Sequence, residues 1–184
     1  NPIITNIKIK DCAYTGLRVL GSYKPVVDGG EIRGANSFWT GYGVSISGCA
    51  NAVVKNIDFY ECRRAIDVTG RNIISRNTDI LNNTAHGGGW NSRGDIYSFP
   101  DIISNVGADQ SAFGTHGAAS VTRYKGNRVF HIRQPFSLRG ETEIVEDNLI
   151  VGRTWGGIIS MTYCVNLYVL NNTAVGNYWG PKDY

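Results

Sequence analysis

Three residues carry the chemistry this sequence offers most directly: Asp67, Asp95 and His116, which fall at equivalent outward positions of a repeating strand pattern. Cleavage of a sugar polymer by hydrolysis needs two carboxyls, one protonated to help the leaving group and one ionised as base or nucleophile. A separation of ~5 Å favours retention and ~6.5–9.5 Å favours inversion. Two carboxyls on one face raise the pKa of one of them, which supplies the acid. His116 would assist proton transfer near neutral pH. Arg93, Arg123 and Arg139 with His116 offer a different chemistry, elimination from an acidic sugar, which needs a base and cations to neutralise the substrate carboxylate. The pattern leans slightly to hydrolysis. No cluster of Asp with calcium-site spacing stands out, so no metal or other cofactor is expected.

Each candidate also has a plainer role open to it. His116 lies in a run of small residues, 112–119, where a ligand can approach closely or where the imidazole simply bonds to a neighbouring strand. Asp67 and Asp95 suit a solvated strand face or an Asp bonded to a turn amide. Residues 93–95 read Arg-Gly-Asp, a tripeptide too short to mean adhesion. Glu61 is expected to pair with Arg63 or Arg64, and Glu141, Glu143, Glu146 and Asp147 to form a solvated acidic face. Trp39, Trp90, Trp155 and Trp179 fall in loops. Trp39 and Trp90 suit stacking on sugar rings or packing of a turn, and Trp155 and Trp179 suit packing or subunit contact. Tyr97 and Arg93 share with Trp90 and His86 a loop that would overhang the face of Asp67 and His116.

The elements that must position these groups come from an internal repeat. Asn or Gly precedes a short apolar strand at Asn6, Gly29, Asn56, Asn77, Asn105, Asn127, Asn148 and Asn171, at intervals of 21 to 28 residues. Such a period signals a solenoid, a propeller or an array. Within each repeat apolar residues alternate with polar ones, as in Val44–Ile46, Ile66–Val68 and Phe136–Leu138, which reads as short half-buried strands. No segment holds a helical period, and the blade length of a propeller does not match. Two or three strands per repeat predict a parallel β-helix with coils ~4.8 Å apart. The markers predict seven to eight rungs over one domain, 1–184, with loop insertions at 34–43 and 86–100. Asn suits the turns because it tolerates left-handed backbone.

The chain has 184 residues, 42% hydrophobic and 18% charged, with net charge +3. That excludes a disordered or coiled-coil chain. Lys and Arg are scattered, so no nucleic-acid partner is expected, and no run is long enough to span a membrane. No signal peptide, initiator Met or polar end cap is visible, so the chain reads as a fragment of a longer protein. Cys12, Cys49, Cys62 and Cys164 recur at equivalent repeat positions, too far apart along a stack for disulfides. They are expected to be free thiols. The patterns at 82–84 and 171–173 match N-glycosylation but coincide with rung turns, so they read as ladder asparagines.

The phrases Val-Leu-Asn-Asn-Thr-Ala-Val-Gly (169–176) and Ile-Leu-Asn-Asn-Thr-Ala-His-Gly (80–87) resemble rungs of the right-handed parallel β-helix superfamily, which includes pectate-lyase-like enzymes, polysaccharide epimerases and phage tailspike depolymerases. The resemblance implies an all-β right-handed solenoid. It also implies a bacterial polysaccharide as partner, homotrimer assembly and an extracellular or virion-surface setting. The expected function is a tailspike-type glycan depolymerase. A non-catalytic β-helix of a fibre or adhesin is one alternative, and a polysaccharide lyase or epimerase another.

Overall fold

The computed structural model describes residues 1–12, 14–35, 41–70, 72–87, 111–132, 134–152 and 157–176. Its strands follow one another as β1 (Ile3–Lys10), β2 (Thr15–Leu20), β3 (Val26–Arg33), β4 (Tyr42–Ser47), β5 (Val53–Tyr60), β6 (Arg64–Thr69), β7 (Thr78–Leu81), β8 (Thr84–His86) and β9 (Ser111–Thr115). They continue as β10 (Val121–Lys125), β11 (Arg128–Phe130), β12 (Phe136–Leu138), β13 (Thr142–Glu146), β14 (Leu149–Val151), β15 (Ile159–Met161), β16 (Asn166–Leu170) and β17 (Thr173–Val175). Among the described residues every strand pairing is parallel, and the strands sort into an 11-stranded and a 6-stranded sheet. The second sheet, in the order β2-β4-β6-β9-β12-β15, takes one strand from each coil. The result is a parallel β-helix of about six turns.

Left-handed backbone residues make the bend inside the first sheet. Asn6, Gly29 and Asn56, at φ 52°, 78° and 58°, kink the long strands β1, β3 and β5. In the next coil Asn82 takes this position and the strand splits, so that β5 pairs with both β7 and β8. Gly30 follows the kink with φ 119°, and a Cβ there would stand 2.0 Å from the Ile7 carbonyl oxygen, so only glycine fits that approach. Just past the bend a buried asparagine ladder runs along the stack. Asn83 donates to Asn127 (3.2 Å), Asn127 to Asn148 (3.0 Å) and Asn148 to Asn172 (2.8 Å). Each Oδ1 also takes a backbone N–H of the preceding coil, as Asn127 does from Asn83 N at 2.9 Å. Replacing Asn127 by Ala leaves that buried N–H without its side-chain acceptor and takes the Nδ2 donor from the Ile80 carbonyl (2.9 Å). Urea denaturation should show a loss of about 2 kcal/mol; an unchanged midpoint would mean the ladder is dispensable.

Inward columns fill the bore. Val27, Val54, Ile80, Tyr124 and Val145 stack on the first sheet. Val44, Ile66, Phe113 and Phe136 stack on the second. The rings of Phe113, Tyr124 and Phe136 meet at centroid distances of 5.6 to 6.3 Å, the tilted and edge-on geometry aromatic pairs prefer.

Three expectations about the repeat change. The rung count of seven to eight becomes about six turns, because one coil carries the chain from Thr78 to its ladder mate Thr122. The markers Asn77 and Asn105 had divided that coil in two. Asn77 instead bonds Asn51 at another corner (3.2 Å), and Asn105 lies outside the described residues. The insertion at 86–100 begins after His86, which is part of β8, and its remaining residues 88–100 lie outside the described residues. His86 stacks between Tyr60 (4.5 Å) and Phe130 (5.2 Å) instead of overhanging the second sheet. All four cysteines are free thiols, with Cys49 and Cys62 buried.

Candidate functional site

The outward face of the second sheet holds a cleft of about 740 Å³, within the ~300–1,000 Å³ common for small-ligand sites. Its lining spans four successive coils: Tyr14, Thr15 and Arg18, then Tyr42 and Ser45, then Asp67 and Thr69, then His116. Coil spacing of ~4.8 Å makes it elongated along the stack, roughly 14 Å from the first coil to the fourth.

Period-2 alternation positions these groups. In β6, Ile66 and Val68 point into the bore, and Asp67 between them is thrown to the outer face. Arg18, Ser45, Asp67, Gly114, Ser137 and Ser160 form one ladder column. Thr69 is followed along the stack by His116, whose N–H bonds the Val68 carbonyl at 2.9 Å. Asp67 and His116 therefore sit in adjacent coils, one coil apart where the marker count implied two.

Asp67 faces outward yet is only 1% exposed, because Arg64 and His116 cover it. Arg64 Nη1 donates to its Oδ1 at 2.5 Å, and His116 Nδ1 meets the same oxygen at 2.7 Å. The convergence brings Nη1 and Nδ1 within 3.2 Å of each other. Arg64 Nε donates in turn to Ser111 Oγ at 2.8 Å. Burial pushes the Asp67 carboxyl up. The hydrogen bond with His116 and the charge of Arg64 outweigh it and leave the carboxyl below its ordinary value. An ionised carboxylate only accepts, which assigns the imidazole hydrogen to Nδ1 and leaves the Nε2 lone pair on the edge of the ring away from Asp67. The Asp67 ladder mate is Gly114, and a Cβ there would stand 3.1 Å from the Arg64 guanidinium carbon and 2.5 Å from the Ser137 carbonyl oxygen. The missing side chain makes room for the Arg64 guanidinium over Asp67.

Tyr42 closes one side. Its ring lies 6.2 Å from that of His116, with the guanidinium carbons of Arg63 and Arg64 at 5.7 and 6.0 Å. Exposed Arg139 follows His116 in the next coil, and its N–H donates to Thr115 Oγ1 at 2.7 Å. Below the site, in the bore, Glu143 is 0% exposed. Its Oε1 accepts from Gly140 N at 2.7 Å and from Thr115 Oγ1. Burial raises this carboxyl to about 7, against the hydrogen bonds that lower it.

Of the residues singled out from sequence, the structure brings Asp67 and His116 into direct contact and sets Arg139 one coil further on. Arg123 lies elsewhere, in β10 of the first sheet, where its Nε donates to Glu146 Oε1 at 2.7 Å. Asp95, Arg93, Tyr97, Trp39 and Trp90 lie outside the described residues. The solvated acidic face is not what the strand makes of Glu143, because alternation in β13 turns Glu143 and Val145 inward. Arg64 pairs with Asp67, not with Glu61. Arg64, Tyr42 and Arg18 were not expected in the site. Arg64 had a local signal, three residues before Asp67, whereas Tyr42 is brought in only by stacking of coils.

Among the described residues no group of three or more His, Cys, Asp or Glu is placed to hold a metal ion, and no helix is long and apolar enough to cross a membrane. The family model described as right handed beta helix region matches residues 1–181. No curated protein matches the chain.

Proposed function

The chain belongs to the right-handed β-helix family, and from that premise we propose that it cleaves an acidic polysaccharide by elimination, with His116 as the base. The observation that carries this reading is the His116–Asp67 contact inside the elongated cleft. An imidazole whose Nδ1 hydrogen is held by a buried carboxylate presents Nε2 as an acceptor of fixed tautomer. Nε2 takes the proton from the carbon next to the substrate carboxylate. The electron pair becomes the new C=C bond as the neighbouring C–O bond of the glycosidic link breaks. Arg18 lines the cleft and exposed Arg139 lies one coil beyond His116 along the stack, and both supply positive charge for a polyanionic chain.

Elimination is preferred here to two-carboxyl hydrolysis because Asp67 is the one carboxylate among the described lining residues. It is buried and bound on Oδ1 by two donors, so its part is to orient His116. A tailspike-type depolymerase acting on a bacterial surface polysaccharide is the setting we propose, with the homotrimer and virion-surface location of that class.

The test is digestion of polygalacturonate, alginate and uronate-containing capsular polysaccharides, followed by chain length and ultraviolet absorbance of unsaturated ends. Wild type should shorten at least one polymer with new absorbance, and His116→Ala should lose roughly 10²–10⁴-fold in rate. Shortening without absorbance would return the reading to hydrolysis. Binding without shortening would make the protein a glycan-binding module.

A further inference from the structure

Elimination leaves an oxygen that needs a proton as the C–O bond breaks, and a base that has just accepted one is not the only group able to supply it. The cleft offers few candidates. Thr15, Ser45 and Thr69 are alcohols, Arg18 does not give up its proton, and Asp67 is ionised, with both of its donors on Oδ1. Two phenols remain. Tyr14 is 68% exposed at the far rim, two coils from Asp67. Tyr42 is half-buried, 6.2 Å ring to ring from His116 and tilted by 54° to it. It also has two guanidinium groups close by, with the carbons of Arg63 and Arg64 at 5.7 and 6.0 Å from its ring centroid.

Resting on the elimination reading, we propose that Tyr42 is the catalytic acid that protonates the leaving oxygen while His116 takes the proton from carbon. The step balances within the site. The C–H proton passes to His116 Nε2 and the C–H electron pair forms C=C. The C–O pair departs with the leaving oxygen, and the Tyr42 hydroxyl hydrogen completes that oxygen as an alcohol. The enzyme is left as imidazolium and phenolate, beside Asp67 and beside Arg63 and Arg64 respectively, and solvent exchange resets both. The arrangement divides base and acid between two coils, with β4 carrying the acid and the residue after β9 carrying the base.

The experiment compares wild type, Tyr42→Phe and His116→Ala on two kinds of substrate: the polyuronate cleaved by wild type, and an oligouronide whose leaving group is a nitrophenolate, which departs without a proton. Tyr42→Phe keeps the ring beside Arg63 and Arg64, and its melting curve is recorded alongside so that a loss of folding is told from a loss of chemistry. On the polymer its kcat should fall roughly 10²-fold or more with KM little changed. On the nitrophenolate substrate the deficit should shrink to a few-fold. His116→Ala should be impaired on both. Equal losses of Tyr42→Phe on the two substrates, or none on either, would overturn the acid role while leaving the base intact. Full activity of His116→Ala would instead overturn the underlying reading, and so would wild type that cleaves no polyuronate.

Discussion

Replacing Asp67 by Ala should cost this fold on the order of 3–5 kcal/mol, because it strands a buried cation. Arg64 has a side-chain exposure of 6%, and its Nη1 is held by the Asp67 carboxylate. Removing the carboxylate leaves the guanidinium inside the face with no anionic partner, beside Ser111 Oγ on Nε and the His116 ring at Nη1. His116 loses the acceptor for Nδ1 in the same change. The pair itself need not be a net source of stability, since a well-packed apolar replacement of both partners is often tolerated. The double variant Arg64→Met/Asp67→Leu should therefore recover much of the loss. Urea denaturation of the three proteins checks this, and a double variant no better than Asp67→Ala would show that the stranded charge is not the cause. Asp67→Asn separates fold from chemistry. The amide keeps the shape, yet it can turn a donor toward His116 and favour the wrong tautomer, so activity should fall further than stability. The folded-state pKa of Asp67 is depressed. Its contribution is therefore in full above the ordinary carboxylate pKa of ~4 and disappears as pH falls below it.

Glu143 works in the opposite direction. Its folded-state pKa is raised from 4.5 to about 7, so between those values the folded protein keeps a proton that the unfolded chain has lost. Stability therefore falls as pH rises from about 4.5 to about 7 and then levels off. At ~1.4 kcal/mol per pH unit, the fall due to this carboxyl is on the order of 3 kcal/mol. Its charge acts in turn on neighbouring groups. Tyr124 is fully buried and raised well above its ordinary value, by burial first and then by the charge of Glu143. Cys164 is raised as well, chiefly by burial and then by the same carboxylate. The charges of Arg64 and Asp67 act on Tyr124 in opposite directions, Arg64 lowering and Asp67 raising it. Glu143→Gln keeps an oxygen for Gly140 N and Thr115 Oγ1 but cannot ionise. Its denaturation midpoint should match wild type near pH 5 and exceed it by pH 8. Parallel curves for the two proteins across that range would refute the buried titration.

Thr115, which donates to Glu143, immediately precedes His116 and also accepts the Arg139 N–H. Asp67 and Glu143 together make stability from these two carboxyls greatest in the mildly acid range, where Asp67 is ionised and Glu143 is still protonated.

Several levels of this protein follow from the linear order of residues. Alternation of apolar and polar residues over Val44–Ile46, Ile66–Val68 and Phe136–Leu138 defines strands and their two faces, because side chains on a strand point alternately to either side whatever the strand packs against. Asn and Gly at recurring spacing define the bends, since few other residues accept left-handed backbone. From these the solenoid, the free thiols and the outward position of Asp67 are all legible.

What the linear order leaves open is register between coils and the choice of face. The chain from Thr78 to Thr122 closes a single coil, and nothing local distinguishes one coil with a long excursion from two ordinary coils. That ambiguity moved His116 by a full coil relative to Asp67. In β13, alternation says that Glu143 and Val145 share a face and Ile144 and Glu146 the other, with one acid and one aliphatic on each. Only packing against Tyr124 and Thr115 decides that Glu143 goes inside. Arg64, Tyr42 and His116 are far apart in sequence, and they meet because parallel stacking at ~4.8 Å converts positions in successive coils into neighbours. Sequence alone determined the strands, the bends and the candidate residues; the tertiary stack decided which of them touch, and so which carboxylate orients a histidine and which one is buried beneath it.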